Sequence, residues 1–243
     1  MEQAYDSLAE WFEILNDDCD YPSWSQYFIE GLSRLQCGKE GLEMGCGSGA
    51  FTRALAKAGY RMSGVDLCVP MLSKATQLAE AEGLKIPFLL ADALTLQVAH
   101  PVDFILSPND CYNYIPQKKL KTAFRHACRA LKKGGIFWFD VSSAYKLREK
   151  VANNIFADDR EDVTYLSFNS LKNDCVEMDV TIFAKRKDGA FDRYDERHTQ
   201  YIHEERDVVL SLEDSGFELL SVEGHLGESK ERSERLNFIC QKK

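Results

Sequence analysis

Three alternating glycines that directly follow a short apolar stretch constrain this 243-residue chain more than any other segment. The segment reads Glu43-x-Gly45-x-Gly47-x-Gly49 and leads into a helical pattern. Because glycine has no Cβ, such a loop can turn sharply and let the backbone approach a ligand closely. The segment therefore predicts a loop that binds a bulky cofactor.

The spacing of these glycines separates two classes of cofactor site. The dinucleotide fingerprint G-x-G-x-x-G would need a glycine where this chain has Ala50. The observed spacing resembles motif I of the class I S-adenosylmethionine-dependent methyltransferases, in which the loop packs against the methionine part of the cofactor. The resemblance implies that S-adenosylmethionine contacts the following residues: Glu43, Gly45, Cys46, Gly47 and Gly49.

Two further acids follow the next two strand-like runs. Asp66 ends the apolar run at 61–66, and Asp92 follows the one at 86–91. An acid at the carboxyl end of a second strand is well placed to accept the ribose hydroxyls, so we expect Asp66 and its neighbour Leu67 to contact the cofactor. The family resemblance places Asp92 and Ala93 beside the adenine.

The alternation of strand and helix patterns as far as Val141 predicts the βαβ rhythm of a parallel sheet. We expect a fourth strand at 102–106, a helix at 117–131 and a fifth strand at 135–141, with two final strands at 217–222 and 236–240. The resemblance implies an α/β fold with a seven-stranded Rossmann-like sheet and helices on both faces.

After Ser143 the rhythm changes to a period of two. Val176, Met178, Val180 and Ile182 alternate with polar residues, and a turn at 187–189 precedes a second strand at 191–202. With 163–168, these runs predict a small antiparallel sheet. We therefore expect an S-adenosylmethionine-binding domain at 38–150 and 204–243, interrupted at 151–203 by an inserted sheet that caps the substrate.

The first 37 residues contain two helical patterns rich in aromatic residues, one at 4–16 and one opened by Pro22. They can simply cover the sheet. The family resemblance supports a second interpretation, in which residues 1–37 form a helical lid. In that case Tyr5, Tyr21 and Trp24 close over the cofactor and the methyl group.

The loop after the fourth strand, at 107–114, lies where open α/β sheets bind their ligands. It does not match the acid–Pro–Pro–aromatic loop of enzymes that methylate the amino groups of nucleic-acid bases. It more closely resembles the loop of small-molecule methyltransferases, which implies that Asn109 contacts the cofactor and that Asp110 faces the transferable methyl group. A solvent-exposed connection remains the alternative.

One histidine is a candidate general base. Tyr194, Glu196, His198 and Gln200 share one face of a strand by period two, and His198 can accept a proton near neutral pH. The competing interpretation is that this face is solvated and that His198 has no role in the reaction.

The composition of the chain argues against several classes of binding partner. The chain has 30 basic and 39 acidic residues and a net charge of −9, which disfavours nucleic acid. Its eight cysteines show no zinc-binding spacing, so no metal is expected. With no leader-like start and no long apolar run, we expect a cytoplasmic protein that does not enter a membrane, present as a monomer or homodimer.

The chain as a whole resembles an uncharacterised bacterial branch of the methyltransferases. The shared features are a Tyr-Asp-x-Leu-Ala start, an Asp-Tyr-x-x-Trp turn and a late antiparallel insertion. The resemblance implies methyl transfer to a small-molecule acceptor, with nitrogen the first expectation for the accepting atom and oxygen the second. An NAD(P)-dependent oxidoreductase and a non-catalytic S-adenosylmethionine-binding module remain alternatives.

Overall fold

The computed structural model describes residues 8–243 and divides their strands between two sheets. The predicted lid residue Tyr5 and the start of the first predicted helix lie outside the described residues. In chain order the strands are β1 (Glu40–Met44), β2 (Arg61–Asp66), β3 (Phe88–Leu90), β4 (Val102–Ser107), β5 (Leu131–Ser142), β6 (Ile155–Asp159), β7 (Val163–Lys172), β8 (Cys175–Lys185), β9 (Phe191–Tyr201), β10 (Phe217–Glu223) and β11 (Arg235–Lys242).

The larger sheet has seven strands in the order β10-β11-β5-β4-β1-β2-β3. Its strands pair in parallel except that β11 runs antiparallel to both of its neighbours, β5 and β10. The strand order reverses at β1 and β4, and the crevice at such a switch point is where α/β sheets bind ligands. The predicted seven-stranded α/β sheet is confirmed.

Helices cover both faces of this sheet. The α-helices are α1 (Phe12–Leu15), α2 (Tyr21–Arg34), α3 (Ala50–Lys57), α4 (Val69–Ala81), α5 (Gln117–Ala130) and α6 (Glu205–Glu213). Alternate residues of β5 enter different cores: Phe137 and Phe139 pack with α5 and α6, whereas Ile136 and Trp138 pack with α2 and α3. Because both faces are buried, β4 and β5 contain continuous apolar runs, at 104–106 and 136–139. Within residues 8–243, no helix has the length and apolar character needed to cross a membrane.

The smaller sheet is antiparallel, in the order β6-β7-β8-β9. Its strands at 163–172, 175–185 and 191–201 correspond to the predicted insertion. On β8, Val180 and Ile182 are buried against Leu8 and Val163, while Asp179 is exposed, as the period-two pattern indicates. The edge strand β6 was not predicted, because its residues are mostly exposed and do not alternate.

The N-terminal segment differs from the predicted helix at 4–16. Its described part forms a 3₁₀ turn at Leu8–Glu10 and the single turn α1. Leu8 enters a cluster with the inserted sheet, and its amide donates a hydrogen bond to Glu196 at 3.1 Å. These contacts to a distant strand replace the regular helix that the local aromatic spacing favours.

Candidate active site

A cavity of about 300 Å³ lies at the carboxyl ends of β1, β2, β3 and β4. A volume of this size suits a small ligand or cofactor. The cavity is lined by ten of the residues singled out in the sequence: Tyr21, Glu43, Gly45, Cys46, Gly47, Asp66, Leu67, Asp92, Ala93 and Asn109. Four other predicted residues do not line it: Trp24, Gly49, Asp110 and His198.

The glycine loop has left-handed backbone at each of its three glycines, with φ of 69° at Gly45, 51° at Gly47 and 79° at Gly49. A Cβ at Gly45 would lie 2.5 Å from the Cys111 sulfur, so packing also excludes a side chain there. A Cβ at Gly47 would meet nothing within 4 Å. Gly47 therefore borders open space in the cavity, as a loop that approaches a ligand requires.

Gly49 has a different role from the other two glycines. It is the N-cap of α3, and a Cβ there would lie 2.9 Å from the Phe88 ring. Its left-handed backbone and this close packing explain the glycine without any contact to a ligand. Gly49 therefore determines the conformation of the loop at the start of α3 and does not line the cavity.

Glu43 is a buried acid at the end of β1. Its carboxylate accepts a hydrogen bond from the Thr52 hydroxyl on α3. Burial raises the pKa of Glu43 to about 8, against the opposing effect of the Thr52 hydrogen bonds and with a further contribution from the nearby Asp66. A positively charged ligand in the cavity would favour the ionised carboxylate.

Asp66, at the end of β2, joins the second strand to the glycine loop. Its two carboxylate oxygens accept hydrogen bonds from the amide of Gly47 at 2.8 Å and from the amide of Cys68 at 2.9 Å. Burial raises its pKa, although these amides act in the opposite direction. Because each carboxylate oxygen can accept a further hydrogen bond, Asp66 retains acceptor capacity toward hydroxyl groups in the cavity.

The third acid, Asp92, shapes the far side of the cavity. Its carboxylate accepts a hydrogen bond from the amide of Leu94 at 2.8 Å, which fixes the turn that presents the buried Ala93. Leu67 lines the same cavity with 47% of its surface exposed, so it stands at the rim. An apolar rim beside a backbone turn suits a flat aromatic base.

The loop after β4 is held by a buried ion cluster that the sequence did not reveal. Asp140 at the end of β5 accepts hydrogen bonds from the amides of Asn109 at 2.9 Å and Asp110 at 2.7 Å, both of which have left-handed backbone. Arg235 of β11 lies 2.6 Å from Asp140 and 3.3 Å from Asp110. An acid at the end of the fifth strand was the one signal available, because nothing in the sequence pairs it with Arg235.

The charge states of this cluster follow from its contacts. Burial raises the pKa of Asp140, opposed by the Arg235 charge. The pKa of Asp110 is lowered in spite of burial, because Arg235 and Lys146 favour its ionised form. The Asp110 carboxylate also accepts a hydrogen bond from Gln200 at 2.6 Å. Asp110 therefore points into the cluster and does not line the cavity, which contradicts the prediction that it faces the transferable methyl group.

The competing interpretation, in which the strand face around His198 is solvated, is wrong. Glu196, His198 and Gln200 are all buried, whereas Tyr194 on the same strand is 37% exposed. The imidazole Nδ1 lies 3.2 Å from the hydroxyl of Tyr114, and Nε2 lies 3.0 Å from a carboxylate oxygen of Glu196. Because Tyr114 lines the cavity, His198 stands one side chain behind the cavity wall.

The two described lid candidates behave differently. Tyr21 lines the cavity and packs edge-on against Phe51 at 5.2 Å between ring centroids. Trp24 is 3% exposed and belongs to the core beneath α2, with the Arg235 guanidinium 4.8 Å above its ring. Phe12 also lines the cavity and was not predicted.

Comparisons with known proteins agree with this geometry. Residues 42–135 match the family model described as "Methyltransferase domain". A Geobacillus sp. strain WCH70 protein named "Putative methyltransferase" is 30% identical over 248 residues, covering 98% of this chain and all of that protein. The chain belongs to the class I S-adenosylmethionine-dependent methyltransferases.

A solved S-adenosylmethionine-dependent methyltransferase from Clostridium acetobutylicum resembles this enzyme along its whole length. The TM-score is 0.88 at 28% identity, over 98% of this chain and 99% of that one. The predicted enzyme class and cofactor are thereby confirmed, and the nicotinamide-dependent alternative is excluded. S-adenosylmethionine fits the site observed here, because Gly47 borders open space and acids stand at three successive strand ends.

Two further relatives extend the comparison. The sugar N-methyltransferase KedS8 from Streptoalloteichus sp. shares the fold, with a TM-score of 0.82 at 17% identity over all of this chain and 94% of that one. A protein named "Ubiquinone biosynthesis O-methyltransferase" from Idiomarina loihiensis is 32% identical over 116 residues, covering 47% of this methyltransferase and 46% of the relative.

Proposed function

We propose that this methyltransferase transfers a methyl group to a small-molecule acceptor and that the accepting atom is nitrogen. The observation that carries the proposal is the junction between the loop after β4 and the inserted sheet. There the cavity-lining Tyr114 meets the buried polar face of β9 through His198. A buried imidazole behind a cavity wall suits an acceptor that must lose a proton.

The two sheets approach each other closely around this junction. Asn113 donates hydrogen bonds to the backbone oxygens of Ser142 at 3.2 Å and Tyr201 at 2.9 Å, so it joins the end of β5 to the end of β9. Gln200 adds its hydrogen bond to Asp110. In the proposal, residues 151–203 form the cap over the acceptor, and residues 1–37 form the lid, with Tyr21 as its described contact.

We further propose that residues 38–150 and 204–243 form the domain that holds the cofactor. In this proposal the glycine loop contacts the methionine part, Asp66 contacts the ribose, and Asp92 and Ala93 lie beside the adenine. When bound, S-adenosylmethionine supplies an electrophilic methyl group. The loop carrying Asn109 then orients the acceptor toward that group, since a displacement of this kind depends strongly on alignment.

Nitrogen is preferred to oxygen for two reasons. Several solved enzymes of this fold act on nitrogen by name, among them the sugar N-methyltransferase KedS8 and a glycopeptide N-methyltransferase. In addition, the net charge of −9 attracts a protonated amine but not a neutral alcohol, and the junction offers the base that such an amine needs. Oxygen is the second candidate, because the ubiquinone biosynthesis relative is named as an O-methyltransferase.

A small acceptor also agrees with the electrostatics of the chain. The net charge of −9 opposes binding of a polyanion, and the cavity is of small-molecule size. An acceptor that carries a positive charge would be attracted by the same field. We therefore place small amines ahead of nucleic acids as acceptors.

The test is a paired screen with the full chain and S-adenosylmethionine. Each amine, such as an amino sugar or a short aliphatic amine, is presented beside the alcohol of the same skeleton. Release of S-adenosylhomocysteine is measured, and the position of the new methyl group is read by NMR. We expect N-methyl products and little turnover of the alcohols. Methylation of the alcohols alone, or only of added RNA or protein, would overturn the proposal.

A further inference from the structure

Three side chains form a hydrogen-bonded chain that leads from the cavity wall into the protein. The hydroxyl of Tyr114 lies 3.2 Å from His198 Nδ1, and His198 Nε2 lies 3.0 Å from Glu196 Oε2. The other carboxylate oxygen of Glu196 accepts a hydrogen bond from the amide of Leu8 at 3.1 Å. Of the three side chains, only Tyr114 lines the cavity.

The chemistry of the three groups determines which of them donates and which accepts in each hydrogen bond. A carboxylate only accepts hydrogen bonds, so a neutral His198 carries its proton on Nε2, toward Glu196. Nδ1 is then an acceptor for the Tyr114 hydroxyl. The arrangement matches the general pattern of an active-site hydroxyl, a base and an acid that orients the base.

We propose that Tyr114 is the catalytic residue that contacts the acceptor, and that His198 and Glu196 are positioning residues that draw its proton inward. The inference rests on the proposed function, since it assigns the acceptor to the class of protonated amines. Aliphatic amines are largely protonated near neutral pH, and an ammonium nitrogen has no lone pair with which to attack.

Removal of the proton from the acceptor needs only Tyr114 and His198 as carriers. The N–H bond of the acceptor breaks, its electron pair stays on nitrogen, and the proton passes to the Tyr114 oxygen. At the same time the original hydroxyl proton of Tyr114 passes to His198 Nδ1. The resulting imidazolium is stabilised by the Glu196 carboxylate, and it holds the proton until the site opens to solvent.

Burial explains why the relay can work in this place. His198 is 5% exposed and Glu196 is 6% exposed, so water competes little with their hydrogen bond. A charged pair formed in such surroundings interacts strongly. Tyr114 connects the cavity to His198, because its hydroxyl carries an exchangeable proton at the cavity wall and the imidazole lies behind the tyrosine.

The first test is independent of the acceptor. Nitrogen NMR of the full chain, labelled with ¹⁵N-histidine and saturated with S-adenosylhomocysteine, reports the tautomer of each imidazole. We expect neutral His198 with its proton on Nε2, and a shift of the Nδ1 resonance in Tyr114→Phe. Tyr194→Phe, on the same strand as His198 but exposed, is the matched control and should leave Nδ1 unchanged. A proton on Nδ1, or an Nδ1 resonance that ignores Tyr114→Phe, would overturn the relay.

The second test uses the acceptor that the paired screen identifies. Tyr114→Phe should lower kcat by at least about 100-fold, a typical share for general base catalysis, while the Kd of S-adenosylhomocysteine changes by no more than about twofold. Glu196→Gln should lower kcat by a smaller factor and disturb the His198 tautomer. Unchanged turnover in Tyr114→Phe, alongside a loss in His198→Gln, would remove Tyr114 from the step.

The two proposals fail in different ways. If the new methyl group is found on oxygen, the proposed nitrogen acceptor is wrong, whatever the NMR shows. If Nδ1 ignores the loss of the Tyr114 hydroxyl, the relay is wrong, whatever the acceptor is.

Discussion

The two halves of the active site are assembled in different ways. On the cofactor side, the contacts join residues close in sequence, such as the Gly47 amide and the Asp66 carboxylate, 19 residues apart. On the acceptor side, the contacts join distant segments: Tyr114 and His198 are 84 residues apart, and Gln200 and Asp110 are 90 apart. The first half is therefore a local backbone cradle, and the second is a junction of side chains from several elements.

The energetics of the halves differ accordingly. The cradle depends on left-handed glycines and on acids that accept hydrogen bonds from backbone amides. Apart from the fully buried Glu43, changes at its cavity-lining acids should therefore act mainly on ligand binding. The junction depends on buried charges that must be paired, so changes there should act on stability as well as on turnover. The following predictions test that division.

The largest effect is expected for Arg235→Met. The change leaves Asp140 and Asp110 buried without their cation, and breaking a buried pair in this way costs about 3–5 kcal/mol of unfolding free energy. Denaturant unfolding of the two proteins measures the difference.

The matched control for that prediction is Arg193→Met, which removes an ion pair with Asp195 whose side chains are both 59% exposed. Water screens such a surface pair, so its loss should change the unfolding free energy far less than the loss of Arg235 does. Equal stability losses in the two variants would mean that the buried cluster does not hold the loop after β4.

The pattern of contacts also explains what the sequence could predict. The glycine motif and the acids at 66 and 92 were identifiable because motif, strand and helix are adjacent in the chain. The inserted sheet was identifiable from the alternation in β8. β9 is polar on both faces, so no hydropathy pattern indicates that Glu196, His198 and Gln200 are buried.

Those three residues are buried because their partners come from other elements. The same holds for Arg235, whose partners Asp110 and Asp140 are 125 and 95 residues away. Trp24 illustrates the converse: the sequence indicated an aromatic near the site, but packing against Phe28 and Phe51 turns its ring into the core.

A pH-dependent effect is expected next, at Glu43. Its pKa is raised from 4.5 to about 8 by burial, so between these values the folded protein holds a proton that the unfolded chain has lost. Wild-type stability should therefore fall as pH rises through this window, by up to about 1.4 kcal/mol per pH unit from this group. The Glu43→Gln variant has no titrating carboxyl at this position, so this pH-dependent part of its unfolding free energy is absent. The difference in unfolding free energy between the two proteins, followed from pH 4.5 to 8, measures it, and a constant difference would contradict the account.

Asp66→Ala addresses the cradle itself. We expect S-adenosylhomocysteine to bind at least about tenfold more weakly, because charge-assisted hydrogen bonds of this kind are worth about 1.5–3 kcal/mol. Calorimetry gives the Kd directly. Asp103→Ala is a suitable control, since Asp103 is a β4 acid that binds Lys132 and does not line the cavity. Unaltered affinity in Asp66→Ala would remove Asp66 from the cofactor site.

The smallest effect is expected for Gln200→Leu. The change removes one hydrogen bond to Asp110, which keeps its contact with Arg235, so the cost should be about 1 kcal/mol of unfolding free energy. Gln241→Leu, which removes a hydrogen bond to the backbone of Gly134, provides the comparison. Gln200→Leu should also slow acceptor turnover without changing cofactor affinity. Weakened cofactor binding would contradict the assignment of Gln200 to the acceptor side alone.

A crystal structure of the S-adenosylhomocysteine complex tests most directly whether the two halves meet at the transferred methyl group. The account expects the ribose hydroxyls on Asp66 and the sulfur turned toward the wall formed by Asn109 and Tyr114. A ribose distant from Asp66, or a sulfur turned away from Tyr114 toward the rim at Leu67, would contradict it.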